Sequence, residues 1–314
     1  MKKVITNSMR CTFLDCPYKF FCEYVRRLTP KREAAYFRWG SLVHAGAACN
    51  DNDEKVEKAI EEARRDAEER CLPVAELKEV DEMCQLLPHV MDAHFLRWHE
   101  DDKNYEMLGG ESRGGKFSLE LSNGWLFQGK IDKIVRDIRT GKILTWERKT
   151  AAQLNDTFFE DLLLDSQPVG YLLAAQRCFG LDARDTLYDM YGKPGLKHKK
   201  WQTREMYIRE LQEEYLINHM KYFMRRRMPF EQKAIDAYYW DIENVARMIE
   251  WCLSEGIWPK HHPRNRIGGC SYKPICLHGD ERKFYVRSLD EFNPELVNVR
   301  RHNAIITNTN SNSN

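Results

Sequence analysis

Asp132, Glu147 and Lys149 are the residues whose types and spacing point most directly to chemistry. Gly129-Lys130-Ile131-Asp132 is followed by Glu147-Arg148-Lys149 after an interval that suits two adjacent strands joined by a tight turn. Side chains two apart on a strand share a face, so Glu147 and Lys149 point the same way. With Asp132 turned toward them, two carboxylates and one ammonium converge near the end of a sheet. Paired hard oxygen ligands are what Mg2+ or Mn2+ takes. A cation held there acidifies a water, which the lysine can orient or help deprotonate. The same three residues also suit the solvated face of an amphipathic sheet, and alone they leave both readings open.

Strands must carry these groups, and the pattern supplies them. Phe117, Leu119 and Leu121 alternate with polar neighbours, and Ser122-Asn123-Gly124 supplies a turn. Trp125-Leu126-Phe127 leads to IDKIV at 131–135, and ILTWERKT follows at 143–150 after Arg139-Thr140-Gly141-Lys142. An antiparallel meander of about three strands is predicted. Helical periodicity brackets it over 5–28, 53–71, 74–98, 159–180, 203–227 and 240–255. Thr6, Asn7 or Ser8 caps the first helix, and Pro88 is expected to kink or split the third. Nothing linker-like divides the chain. The expectation is one domain over 1–302, with a helical insertion at about 50–105, a cysteine-containing segment at about 258–280, and a disordered tail at 303–314.

Composition narrows the function classes. The 314 residues hold 49 Lys+Arg against 48 Asp+Glu, and 42% are hydrophobic, enough for a real core. Mean hydropathy is −0.65, and no apolar run approaches the ~18 residues of a membrane helix. The start lacks an apolar block before Asp15, so no secretory signal is read and the cytoplasm is the expected location. With no global basic excess, a nucleic-acid partner must be held by a local patch. Ten cysteines without a secretory signal point to reduced thiols or metal ligands. Cys49, Cys71, Cys84, Cys178 and Cys252 stand singly in or beside helix-like stretches and read as small buried apolar residues.

Further motifs stand in a fixed order around the acids: Cys16-Pro17-Tyr18-Lys19-Phe20, Gly40-Ser41-Leu42-Val43-His44, Glu111, then the Asp132 and Glu147 elements, then Gln167-Pro168-Val169-Gly170-Tyr171. The ordered set resembles the PD-(D/E)XK nuclease superfamily, specifically its RecB-like branch of phage-type recombination exonucleases and CRISPR-adaptation nucleases. The resemblance implies an α/β (α+β) restriction-endonuclease-like core, a mixed β-sheet flanked by helices with a helical insertion. It implies a Mg2+- or Mn2+-dependent DNA nuclease, an exonuclease of recombination or repair, with a single-strand annealing or recombination protein as partner. In that scheme Asp132 and Glu147 hold the metal with help from the Arg148 main-chain carbonyl, and His44 and Glu111 are further metal-proximal groups. Lys149 stabilises the attacking hydroxide or the charge developing on phosphorus. Gln167 and Tyr171, four apart on one helix face, orient Lys149 and a DNA phosphate. A non-catalytic DNA-binding scaffold with this fold, or a metal-dependent phosphodiesterase acting on RNA, are the alternatives.

Several relatives in that branch bind an iron–sulfur (4Fe–4S) cluster through one N-terminal cysteine and a C-terminal C-x2-C-x5-C pattern. Cys270 and Cys276 match the C-x5-C part, whereas Ile267 stands where a further cysteine belongs. Cys16 with Cys22 (or Cys11) completes the four thiolates such a cluster requires. His261, His262 and His278 leave zinc open, as they leave cysteines that merely pack. Residues 193–204, KPGLKHKKWQTR, and 221–227, KYFMRRR, interleave cations with aromatics. Lys199, Lys200, Trp201, Arg225 and Arg226 are the expected DNA contacts, set against a plain solvated face.

Overall fold

A computed structural model describes residues 3–31, 35–52, 54–110, 115–261 and 270–287. The chain opens with β1 (Val4–Ile5), α1 (Asn7–Asp15), α2 (Pro17–Phe20), a π-helical turn at Phe21–Val25 and β2 (Leu28–Pro30). Thr6 caps α1 by accepting from the Met9 amide. The single helix expected over 5–28 is broken at Cys16, which is extended ahead of Pro17, because a residue preceding proline is pushed out of the helical region. Next come α3 (Ala35–Asp51), α4 (Glu57–Glu69) and α5 (Val74–Asp102). Pro88 does not split α5, a continuous helix of 29 residues. Cys84, Leu87, Val90 and Met91 on both sides of the proline are anchored in one core with α3.

The strands follow as β3 (Tyr105–Gly110), β4 (Lys116–Glu120), β5 (Leu126–Lys130), β6 (Lys133–Asp137) and β7 (Ile143–Ala151). They do not form one meander. β4 and β5 pair antiparallel and β1 joins β5 in parallel, whereas β6 and β7 belong to a second sheet. The chain changes sheets at Ile131 and Asp132, which puts Asp132 at the junction. α6 (Asp156–Leu163) and α7 (Ser166–Phe179) then cross over to β8 (Ala183–Gly192), which runs parallel to β7. The helix expected over 159–180 is two helices because Asp165 caps α7, accepting from the Gln167 amide.

The remaining elements are α8 (Arg204–Ile217), α9 (His219–Tyr222), β9 (Phe223–Pro229), α10 (Gln232–Glu255), α11 (Lys273–His278) and β10 (Phe284–Val286), which pairs with β2. The larger sheet has the order β3-β6-β7-β8-β9 and is parallel only between β7 and β8. One core joins α7 and α10 to β4 and β5, and a second joins α3, α4, α5 and α8. This is the mixed α/β architecture the motifs imply. Among the described residues no helix is long and apolar enough to cross a membrane. Cys49, Cys84 and Cys252 are buried as expected, and Cys178 is half-buried. Cys71 is exposed instead, because it lies in the turn after α4 at a left-handed φ of 49°.

β9 corrects the reading of one basic stretch. The helix expected over 203–227 stops at Ile217, and Phe223–Pro229 is a strand against β8. Arg225, expected as a surface DNA contact, is instead withdrawn into the protein: its side chain is 5% exposed, 3.2 Å from Asp189 and 2.6 Å from Asp102. Its guanidinium also lies over the rings of Trp98 and Trp146. Asp189 is held further by His94 at 3.0 Å and the Trp146 indole at 3.2 Å. Burial pushes the Asp189 carboxyl up, but Arg225 and His94 outweigh it and hold it below the usual carboxylate range. Arg226 is exposed, packed over Phe159 of α6. Removing one member of a buried, hydrogen-bonded ion pair costs about 3–5 kcal/mol, so Asp189→Ala should lower unfolding free energy by that order in urea titration. A loss well under 1 kcal/mol would show that this network does not anchor the sheet.

Candidate active site

β7 lies between β6 and β8, so the alternation of its side chains is forced. Glu147 and Lys149 take one face, Trp146 and Arg148 the other. Lys149 Nζ lies 2.9 Å from Glu147 Oε1 and 3.1 Å from Asp165 Oδ2, and it donates to Gln167 Oε1 at 2.7 Å. Gln167 Nε2 in turn donates to the Tyr171 hydroxyl at 2.8 Å, one turn along α7. Asp132 Oδ2 accepts the Arg148 main-chain N–H at 3.0 Å. His44 on α3 brings Nδ1 within 3.6 Å of the same oxygen. Gly40, one turn before His44, lets α3 pass β7 closely, since a Cβ there would sit 3.3 Å from Thr150 Oγ1. Asp132, Glu147, Lys149, Gln167, Tyr171 and His44 are therefore gathered at one place. A cavity of about 820 Å3 opens onto it, lined by His44, Asp132, Thr150, Gln167 and Tyr171 among others.

The electrostatics of this cluster are unbalanced. Glu147 is 1% exposed, and among the described residues its Oε2 has no hydrogen-bond partner. Burial, reinforced by the charge of Asp132, pushes the Glu147 carboxyl up to about 8 against the pull of Lys149. An unsatisfied buried carboxylate oxygen is costly, and the two acids repel. A cation beside both removes both penalties. Two carboxylates, main-chain carbonyl oxygen and retained waters are the hard donor set Mg2+ prefers. Among the described residues, no three His, Cys, Asp or Glu side chains alone close on a point as an ion cage. Burial lowers His44 against the opposing pull of Asp132, so a neutral imidazole, the ligating form, faces the acid. Burial also tends to discharge Lys149, but Glu147 and Asp165 outweigh it and hold the ammonium above its ordinary range. Lys149 thus stands as an ammonium between Glu147 and Asp165.

Arg148, on the opposite face of β7, pairs with Asp51 at the end of α3. Lys133 of β6 reaches the same carboxylate at 2.8 Å while lying 4.4 Å above the Trp146 ring. This buried triad ties the helix carrying His44 to both strands of the acid pair. Sequence reasoning misses Asp165 and Asp51. Asp165 has a local signal, a capping residue two positions before Gln167. Asp51 has none, since its partner Arg148 stands 97 residues away.

A family model of the PD-(D/E)XK nuclease superfamily matches residues 8–277. The chain belongs to that superfamily. Its acidic pair and lysine stand on the β6–β7 side of the mixed sheet, and membership makes this PD-(D/E)XK protein a nuclease by class. A search of curated proteins finds no match to the chain.

The other expected site residues are distributed differently around this nuclease core. Glu111 lies outside the described residues, as do His262 and Ile267. Lys199, Lys200 and Trp201 lie on an exposed segment after β8, Trp201 at 68% exposure and Lys199 paired with Glu210 at 3.2 Å. Neither they nor Arg226 line the cavity at the acids. Cys16 and Cys22 are buried and Cys270 and Cys276 half-buried. Cys22 and Cys270 share one apolar corner with Leu28, Tyr272, Ile275 and Phe284. Burial lifts Cys22 to about 11 against the pull of Arg26, with smaller contributions from Cys276, Glu281 and Cys16. Cys276 is raised the same way by burial, then by Cys16 and Cys270.

Glu147→Gln separates the buried charge from its use. The folded carboxyl holds its proton more tightly than the ordinary value of 4.5. Raising pH from there through about 8 therefore costs cation-free wild type stability that the Gln variant keeps. In metal-free buffer at the upper end of that interval, the variant should melt at or above wild type, Lys149 keeping Asp165 and Gln167. Saturating Mn2+ should raise the wild-type melting temperature by a few degrees and leave the variant almost unmoved. An equal Mn2+ shift in both proteins would remove Glu147 from the site.

Proposed function

We propose that this protein is a Mg2+- or Mn2+-dependent DNA nuclease, working as an exonuclease in recombination or repair. The observation that carries the reading is the unpartnered Oε2 of buried Glu147 beside Asp132, with the Lys149 ammonium fixed on its other oxygen. Asp132 and Glu147 would hold the cation, with the Arg148 main-chain carbonyl and His44 beside them. When bound, the cation supplies Lewis acidity toward a phosphate oxygen and lowers the pKa of water. Lys149 presents its positive charge where negative charge develops on the phosphoryl group. Asp165 and Gln167 hold that ammonium in place, and Tyr171 fixes the Gln167 amide. The exonuclease mode and the recombination or repair role rest on the resemblance to the RecB-like branch.

The resemblance to the RecB-like branch carries a second, structural reading. Cys16, Cys22, Cys270 and Cys276 supply the thiol chemistry of an iron–sulfur cluster, although among the described residues no three His, Cys, Asp or Glu side chains converge as a metal site. Held by them, a cluster would staple the two chain ends together. Iron and acid-labile sulfide in anaerobically purified protein are its test.

The activity is tested with linear and circular, single-stranded and duplex DNA, and with RNA. Mg2+- or Mn2+-dependent loss of DNA with a free end, abolished by chelator, is expected. Lys149→Ala should reduce turnover by about 10²–10³-fold or more, the scale of removing one preorganised charge-stabilising donor, while DNA binding is retained. Digestion of RNA alone, or of no substrate, would overturn the proposal. Wild-type turnover in the Lys149 variant would overturn its assigned role.

A further inference from the structure

The aromatic residues opening α3 take no part in the chemistry above. Tyr36 is 68% and Phe37 56% exposed, and their ring centroids are 4.3 Å apart. Both nonetheless line the cavity that reaches His44 and Asp132. Large aromatic side chains are normally withdrawn from water, so an open pair at the rim of a polar cavity is a ready surface for a flat partner. The cavity face of α3 presents Tyr36 and Phe37, then Gly40 and Ser41, then His44 and Ala45, in steps of one turn. At ~1.5 Å per residue the rings stand about 12 Å along the helix from His44. The small residues between them leave a shallow floor. The facing wall includes Asn7, Ser8, Gln128 and Lys130, with Glu23 and Asp132 as its acids.

We propose that Tyr36 and Phe37 form a stacking platform for a nucleobase of an unpaired DNA strand whose backbone follows the α3 face to His44 and Asp132. The proposal rests on the nuclease reading and adds the form of the substrate. Aromatic rings at one end, polar groups and a lysine along the wall, and Asp132 with His44 at the other end match a chain of alternating bases and phosphates. Every base has a π-face, so such a platform is tolerant of sequence. A base inside a duplex gives its faces to its neighbours, and reaching a protein ring requires unstacking. The platform therefore selects a single strand or a frayed end.

The test uses the full chain with Ca2+ replacing Mg2+ to halt turnover. Labelled single-stranded and blunt duplex oligonucleotides are titrated, with 2-aminopurine moved through successive positions near the bound end. Wild type should prefer the single strand and quench 2-aminopurine at one or two adjacent positions. Tyr36→Ala combined with Phe37→Ala should weaken single-strand binding about tenfold or more and abolish the quench, with an unchanged melting temperature. Tyr36→Phe with Phe37→Trp should restore both. Trp240→Ala, which removes an equally exposed aromatic outside the cavity lining, should change neither. Unchanged binding and quenching in the double alanine variant, or a preference for duplex, would overturn the platform even if wild type degrades DNA. Aromatic-dependent binding by a protein that cuts no nucleic acid would uphold the platform and overturn the nuclease reading instead.

Discussion

Glu147 sits on the central strand of a five-stranded sheet, closed off from water, with Lys149 against one carboxylate oxygen and, among the described residues, no hydrogen-bond donor on the other. Its neighbour Asp132 adds a second negative charge. Left alone this arrangement opposes folding, since burial and repulsion act together against the ionised acid. A fold keeps such a group when something that binds there relieves it. Much of the surrounding structure can be read as what holds this acid in place beside Asp132, which lines the cavity.

The two faces of β7 divide that work. One face carries Glu147 and Lys149 toward α7, where Asp165 and Gln167 immobilise the ammonium. The other carries Arg148 and Trp146 into buried ionic networks, Arg148 with Asp51, and Trp146 with Asp189 and Arg225. Because alternate residues of one strand serve both, a shift of register by one would put the anchors in the site and the reactive groups in the core. The parallel pairing of β7 with β8 over nine residue pairs and the antiparallel pairing with β6 resist that slip. α3 closes the assembly, since Asp51 at its end grips Arg148 while His44 meets Asp132.

How much of this the sequence discloses follows the range of the interaction. The shared face of Glu147 and Lys149 is legible because strand alternation is local, and so is the pairing of Gln167 with Tyr171 one helical turn apart. The order of the motifs discloses the family before any coordinate is considered. The break at Cys16 was available in Pro17, and the start of α7 in the capping Asp165, but a helical pattern running through both obscures them. Other features depend on residues far along the chain. Arg225 reads as a surface cation until Asp189 and Asp102 come beside it, and Pro88 reads as a break until α3 packs along α5. Asp51 carries no local mark at all, and the division of the strands into two sheets depends on β1, over a hundred residues before its partner β5.

The central claim is that the open oxygen of Glu147 and the carboxylate of Asp132 share a divalent cation. Crystals of the protein soaked in Mn2+ and measured at a wavelength where manganese scatters anomalously test it most directly. The account predicts an anomalous peak within coordination distance of Glu147 Oε2 and an Asp132 carboxylate oxygen, with Lys149 still on the far oxygen of Glu147. Manganese bound elsewhere, with Glu147 Oε2 taken up by a protein donor, would contradict it.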